Sequence, residues 1–215
     1  MKKTIILSCL LSLGLFAQEA TDKSLTKLYI ATFDRAPDKK GLDYWVNTKM
    51  PLEDIATSFF DQPETQDKYP SGYGTIDFIN AIYSNLFKRT PDQVGSDYWQ
   101  KELDKNGMIK SKFILAIVNG AKDNDAKILD NKTEVGLSFI NSGWSDIDKA
   151  KEIMRDVTAD NTTVTAALDI IKKYDTGIES ELPTIDITTT PTTTKETVKT
   201  PTKEEVEEKE DLPTF

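Results

Sequence analysis

Two stretches of the sequence decide the fold: residues 29–45 read YIATFDRAPDKKGLDYW, and residues 83–99 read YSNLFKRTPDQVGSDYW. Nine of the 17 positions are identical at a constant offset of 54 residues, and most of them form the motif F-x-R-x-P-D-x-x-G-x-D-Y-W. An internal repeat of this period is typical of one supersecondary unit that has been duplicated and stacked. We therefore expect two repeat units, at about residues 24–70 and about residues 75–121.

Each unit carries the apolar spacing of three helices. From Leu25 to Phe33, apolar residues follow i, i+3, i+4, i+7 and i+8, which is one stripe of a helix. Pro37 and Asp38 then start a second helix, since proline at the first helical position loses no hydrogen bond and Asp suits the helix dipole. A third helix is expected to begin near Pro51. In the second unit, the same order predicts helices over 76–87, 91–103 and 109–118, with a turn at Asn106-Gly107.

Helical periodicity continues after the second unit. It predicts three more helices near 124–141, 146–157 and 162–174, with Ser145 and Asp160 or Asn161 as N-caps. We expect these helices to cover the apolar face of the second unit, because the end of a stacked array usually needs a cap. Residues 22–179 are thus predicted to be an all-α domain, a compact stack of two three-helix units with about three C-terminal capping helices.

The two ends of the chain differ from this domain. Lys2 and Lys3, an apolar run over residues 5–16 and then Ala17 are typical of a secretory signal peptide at residues 1–17. The apolar run is shorter than the ~20 residues that cross a bilayer, so no membrane span is expected after cleavage. Residues 180–215 are rich in Thr, Pro, Glu and Lys, a composition that predicts a disordered tail. We expect a periplasmic protein, with secretion or display on the cell surface as the alternative.

Composition excludes several kinds of chemistry. The chain has no histidine, and its single cysteine, Cys9, lies inside the predicted signal peptide. A thiolate nucleophile, an imidazole base and a Cys/His metal site are therefore excluded from the processed protein. A net charge of −9 argues against nucleic acid and anionic lipid as partners. We predict that the protein is not an enzyme, with no catalytic, cofactor-binding or metal-binding residues and no cofactor.

The charged and aromatic residues of the motif are explained by structure. Each arginine, Arg35 or Arg89, is expected to clamp a carboxylate of its own motif copy and so to pin the turn. This role predicts similar costs, about 1–3 kcal/mol, for replacing either arginine by alanine. The two motif glycines are expected at close contacts with the preceding helix, and each Tyr-Trp pair is expected to anchor a helix junction. The residues concerned are Asp38, Asp43, Asp92 and Asp97, then Gly41 and Gly95, then Tyr44, Trp45, Tyr98 and Trp99.

A short acidic run after the second unit matches a calcium loop only in part. The run comprises Asp123-Asn124-Asp125 and Asp130, with Glu134 at the twelfth position. The sixth position, where an EF-hand loop needs glycine, holds Ile128. We therefore interpret the run as an N-cap of the following helix.

The motif and two later blocks resemble one bacterial family. The blocks are ILDNKTEVGLSFINSGW at residues 128–144 and DVTADNTTVTAALDIIKKY at residues 156–174. With the repeated motif, they are similar over roughly residues 24–174 to the family called domain of unknown function 4214. The resemblance implies an all-helical module of exported proteins, including S-layer and repeats-in-toxin proteins, with a distant likeness to phycobilisome linker domains. It implies no catalytic residues.

These observations favour a non-enzymatic exported scaffold or assembly protein of a bacterial envelope or surface structure, for example a periplasmic component of a large envelope machine. Its partners would be proteins of the cell envelope, and a homo-oligomer stays open. The alternative is a calcium- or carbohydrate-binding surface or adhesin module. Its support would be the Tyr-Trp pairs, if they are exposed and flanked by acids. An enzyme that relies on carboxylates alone is disfavoured, because no pair of acids is singled out by the sequence.

Overall fold

The computed structural model describes residues 20–176, and this part of the chain holds ten α-helices and no strand. The all-α prediction is confirmed. The predicted signal peptide at 1–17 and the predicted tail at 180–215 lie outside the described residues. The helices are α1 Asp22–Phe33, α2 Lys39–Thr48, α3 Leu52–Phe59, α4 Pro63–Lys68, α5 Thr75–Phe87, α6 Gln93–Asp104, α7 Lys110–Gly120, α8 Asp123–Asn141, α9 Ile147–Arg155 and α10 Asn161–Thr176.

The motif builds the same helix junction in both of its copies. The helices α1 and α5 each end at a residue in the left-handed conformation, Asp34 with φ 57° and Lys88 with φ 58°. Four residues later, Asp38 and Asp92 cap α2 and α6, and each side chain accepts a 2.7 Å hydrogen bond from the backbone N–H three residues on. An N-cap aspartate satisfies a backbone donor that the first turn of a helix leaves free.

The first unit contains a helix that the sequence analysis did not predict. After α3, the chain turns at Gln62 and enters α4 with Pro63 at its first position. In the second copy the corresponding residue is Ile117, which lies inside α7 and is buried. The prediction of three helices in the first unit was therefore wrong, and α4 brings Glu64 into the structure at a place that has no equivalent in the second copy.

The centre of the protein is α1, which packs on α5, α7 and α8 and buries every residue from Tyr29 to Phe33. Residues 54 positions apart contact each other at three points around it. Asn85 Nδ2 donates to Ala31 O at 3.0 Å, the Thr57 and Ser111 hydroxyls lie 3.1 Å apart, and Lys88 Nζ lies 3.8 Å from Asp34 Oδ1. The corresponding helices of the two motif copies, α1 with α5 and α3 with α7, are thus direct neighbours.

The C-terminal helices were expected to cover the second unit alone. In the structure they cover part of the first unit as well. The longest helix, α8, packs against α1 as well as α5. It comes close to α1 at Gly136, where an added Cβ would lie 2.7 Å from Thr26 Cγ2. Backbone hydrogen bonds from Ala36 N to Ala150 O (3.1 Å) and from Lys39 N to Trp144 O (3.4 Å) join the α1–α2 loop to this C-terminal part. The first unit is therefore covered, and α6 of the second unit is left without a buried residue.

Three of the predicted helix ends can be compared directly. Asp160 accepts a hydrogen bond from Thr162 N at 2.9 Å and caps α10, as expected. Gly107 has φ 73° and forms the expected turn between α6 and α7. The N-cap of α9 is Asp146, which accepts from the backbone N–H groups of Asp148 and Lys149, so the prediction of Ser145 was wrong by one residue.

Candidate functional site

Arg35 forms the centre of the most elaborate polar site. Its Nε and Nη2 donate to the two carboxylate oxygens of Glu64, each at 2.8 Å, and its Nη1 donates to Ala36 O at 2.9 Å. The guanidinium also lies over the rings of Tyr29 and Phe33, 5.2 and 5.3 Å from their centroids. Burial is the largest single effect and lowers the pKa of Arg35, but the hydrogen bonds to Glu64 together with the charges of Glu64 and Asp38 give a net raised pKa.

The carboxylate partner of Arg35 differs from the predicted ones. Asp38 is only a secondary partner, with Oδ2 3.7 Å from Arg35 Nη1, because its side chain caps α2. Asp43 pairs with Lys39 at 2.5 Å on the outside of α2. Glu64 lies 29 residues from Arg35 and outside the motif, and no pattern in the sequence pairs the two residues.

Arg89 repeats the clamp with yet another carboxylate. Its Nε and Nη2 donate to Asp125 at 3.1 and 2.5 Å, and its Nη1 donates to Thr90 O at 2.9 Å. Asp125 lies in the first turn of α8. Asp92 caps α6, and Asp97 accepts from Gln93 at 2.8 Å, so neither is the bidentate partner that the sequence analysis expected. The two motif copies thus use the same arginine geometry with carboxylates from outside the motif.

The tryptophans of the motif pack inward, whereas the tyrosines beside them face solvent. Trp45 belongs to the core, and Trp99 is partly buried with its Nε1 donating to the Tyr83 hydroxyl at 3.1 Å. Tyr44 is 63% exposed and Tyr98 is 50% exposed. The prediction that both members of each pair anchor a helix junction is therefore wrong for the tyrosines, since helix geometry turns adjacent residues toward different sides.

The close approach expected at the motif glycines is clear at Gly41. A Cβ there would lie 2.6 Å from the Tyr29 hydroxyl oxygen, and Tyr29 belongs to the preceding helix. At Gly95 the nearest atom is 3.1 Å away and belongs to Asp92, the N-cap of the same helix. The corresponding Tyr83 hydroxyl is 4.0 Å away. The first copy of the motif is therefore packed more tightly than the second.

A shallow cavity of about 370 Å³ opens beside Arg35 and Glu64. Five of its ten lining residues are aromatic, and the ring of Tyr44 packs edge-on against that of Trp45 with centroids 4.9 Å apart. Burial, followed by the nearby Asp38 carboxylate, raises the pKa of Tyr29 to about 12, so its hydroxyl stays protonated at neutral pH. The residues that line the cavity are Tyr29, Phe33, Arg35, Gly41, Tyr44, Trp45, Phe59, Gln62, Pro63 and Glu64.

A second polar group, which we call the junction cluster, lies where α1, α5 and α8 meet. It comprises Asp34, Asn85, Lys88 and Lys132. Lys132 is 0% exposed and its Nζ donates to Asn85 O, while Asp34 Oδ1 lies 4.0 Å away. Burial, together with the positive charge of Lys88, lowers the pKa of Lys132 to about 7 despite the attraction of Asp34.

Lys132 was not predicted as a buried residue, although its position in the sequence indicates burial. Lys132 continues a series with Ile128, Val135 and Phe139, at a spacing of four, three and four residues, which is the apolar face of α8. A lysine in that series is expected to be buried or to extend its ammonium to the edge of the core.

The acidic run at the start of α8 does not cap the helix, and two of its carboxylates pair with basic side chains. Asp125 is paired with Arg89, and Asp130 lies 3.2 Å from Lys27 Nζ. The N-cap position of α8 is Lys122, and no side-chain hydrogen bond caps the helix, so the N-cap interpretation was wrong. Within residues 20–176, no three acidic, His or Cys side chains are grouped as metal ligands would be. The same residues contain no helix that is long and apolar enough to cross a membrane.

Comparison with known proteins supports the family resemblance. Residues 56–126 match the family described as Domain of unknown function (DUF4214). This span runs from α3 to the start of α8 and contains the second copy of the motif with Arg89 and Asp125. The chain therefore resembles that family. No curated protein and no solved structure is significantly similar to it.

Proposed function

We propose that the protein is a non-enzymatic, exported helical scaffold that holds a protein partner in a bacterial envelope or surface structure. The observation that carries this proposal is the exposure of α6. All twelve residues of this helix remain at least partly exposed, although it carries Val94, Tyr98, Trp99 and Leu103. Its counterpart in the first unit, α2, buries Leu42 and Trp45.

The exposed side of α6 has an apolar stretch that suits a protein partner. Val94 is 80% exposed, and Tyr98 lies one turn further along the same side of the helix. The Tyr98 ring packs edge-on against Trp99, with centroids 4.7 Å apart, so it is held in place before any partner arrives. A rigid aromatic residue next to an aliphatic one is typical of the anchor of a protein interface. We call Val94 and Tyr98 the α6 surface.

The polar clusters support a structural role over catalysis. The guanidinium groups of Arg35 and Arg89 each donate hydrogen bonds to one carboxylate and one backbone carbonyl. Lys132, the amine whose pKa is shifted furthest into the neutral range, is fully buried and so is closed to a substrate. Shifted pKa values arise in structural ion-pair networks as well as in active sites.

The location is part of the proposal. The charged start, short apolar run and Ala17 near the N-terminus favour export, and a periplasmic location fits an acidic chain without cysteine after cleavage. Secretion or display on the cell surface is the alternative. A partner other than nucleic acid is favoured by the net charge of −9.

Crosslinking in intact cells tests the proposal. Mild crosslinking followed by copurification should recover the protein in a large envelope complex. A variant without residues 1–17 is the control, and we expect it to stay in the cytoplasm and outside that complex. Recovery of the full-length protein as a free monomer in the periplasmic extract would contradict the scaffold function.

A further inference from the structure

We propose that the cavity beside Arg35 and Glu64 binds one pyranose ring of an envelope or surface carbohydrate. This inference goes beyond the scaffold function and does not depend on the α6 surface. The cavity, at about 370 Å³, falls within the size range of small-molecule sites, and one sugar ring with its substituents fits that space.

The apolar part of the cavity has the chemistry that a sugar ring needs. Tyr29, Trp45 and Phe59 line it from the core, and each is at most 9% exposed. Tyr44 stands at the mouth of the cavity with most of its ring in solvent. The C–H face of a pyranose packs on an accessible aromatic ring, and Tyr44 supplies that ring. Tyr44 loses little conformational entropy in the contact, because its side chain has few rotatable bonds.

The polar part consists of groups that are fixed before a ligand arrives. Arg35 holds both oxygens of Glu64, while about a third of the Glu64 side chain stays accessible. Each carboxylate oxygen accepts more than one hydrogen bond, so Glu64 can receive two neighbouring sugar hydroxyls while it stays bound to Arg35. Gln62 is positioned by its own hydrogen bond to Ser58 O at 3.1 Å.

The charges around the cavity favour a neutral ligand. The guanidinium of Arg35 already covers the rings of Tyr29 and Phe33, and its positive charge disfavours a second cation in the cavity. An anion would face the Glu64 carboxylate, whose charge is balanced by Arg35. A polyhydroxylated ligand gains hydrogen bonds and ring contacts and brings no charge to be desolvated.

The second copy of the motif supplies a matched control. The residues that correspond to Gln62, Pro63 and Glu64 are Ala116, Ile117 and Val118, so the polar wall is missing there. Tyr98 nevertheless corresponds to Tyr44 and has a similar exposure. If any exposed tyrosine sufficed for saccharide binding, replacing Tyr44 or Tyr98 would weaken it equally. A sugar site in the cavity predicts that only the replacement of Tyr44 weakens it.

Heteronuclear NMR titration of the full-length chain with maltotriose and, separately, with chitotriose tests the inference. We expect at least one saccharide to shift backbone signals between residues 29 and 64, with an affinity on the order of 1 mM. Tyr44→Ala should weaken that binding about tenfold, whereas Tyr98→Ala should leave it unchanged. Glu64→Gln, which removes the charge but keeps the shape, should also weaken it.

Three results would overturn the inference. One is no saturable shift with either saccharide up to about 20 mM. Another is binding that Tyr44→Ala leaves intact. The third is an equal loss in Tyr44→Ala and Tyr98→Ala. Tyr44 is exposed, so its alanine variant is expected to fold, and unchanged helical circular dichroism and urea midpoint establish that it has done so.

Discussion

Replacing Arg35 by alanine should cost much more stability than replacing Arg89, although both arginines occupy the same motif position. The Arg35 side chain is 5% exposed, and it is fixed by Glu64, by Ala36 O and by the rings beneath it. The Arg89 side chain is 47% exposed. The sequence alone predicted similar costs, because it shows the repeat but not the environment of each arginine.

The expected magnitudes follow from that difference in burial. Removing one member of a buried ion pair costs about 3–5 kcal/mol, and the partial exposure of Glu64 places Arg35→Ala near the low end, at about 3 kcal/mol. A pair exposed to solvent contributes up to about 1 kcal/mol, which is our value for Arg89→Ala. The Asp125 carboxylate that remains lies in the first turn of α8, where the helix dipole favours its charge.

Urea unfolding of both variants at neutral pH measures the two costs directly. Arg35→Lys is the control, since it keeps the charge but loses the bidentate geometry, and it should fall between the wild type and Arg35→Ala. If the free energy of unfolding falls with urea concentration at the same slope in all variants, the unfolding transition itself is unchanged. Costs that agree to within about 0.5 kcal/mol, or a larger cost at Arg89, would refute the assignment of burial as the cause.

Two further predictions concern the packing of the motif and the junction cluster. Gly41→Ala should destabilise the fold by about 1–2 kcal/mol, because its Cβ would lie 2.6 Å from the hydroxyl oxygen of the buried Tyr29. Gly95→Ala should be neutral or stabilising by up to about 1 kcal/mol, since alanine is the better helix former, and thermal melts of both decide this. The lowered pKa of Lys132 means that, above about pH 7 and up to its ordinary value of 10.5, the unfolded chain binds the proton that the folded protein has lost. Stability should therefore rise with pH between pH 7 and pH 9 by up to about 1.4 kcal/mol per pH unit, and urea melts of Lys132→Met should lose that rise.

The sequence predicted what depends on local chemistry. A helix start near Pro37-Asp38 and Pro91-Asp92 was predicted from neighbouring residues alone. The predicted first-turn positions were wrong, because Asp38 and Asp92 are N-caps and α2 and α6 begin one residue later. The turn at Gly107 and the cap at Asp160 follow from the same short-range rules. The other nine helices of residues 20–176 were predictable because their apolar spacing is periodic, whereas the six-residue helix α4 is too short to show such a period.

The candidate sites could not be predicted to the same extent, because they depend on contacts between distant segments. Arg35 meets Glu64 across 29 residues, and Arg89 meets Asp125 across 36 residues. Nothing in the motif distinguishes these acids from Asp43 or from Asp97. The side of the first unit on which α8 lies was likewise fixed by a distant contact, the approach of Gly136 to Thr26.

Substitutions in the α6 surface test the proposed scaffold function most directly. The measurement is the amount of partner protein recovered by crosslinking and copurification with the wild type, with the double variant Val94→Lys, Tyr98→Ala, and with Tyr44→Ala as the matched control. Both altered residues of the double variant are exposed, so its urea midpoint should equal that of the wild type. The account predicts a loss of about tenfold or more in partner recovery for the double variant and none for Tyr44→Ala. Full recovery with the double variant would contradict a partner held through α6.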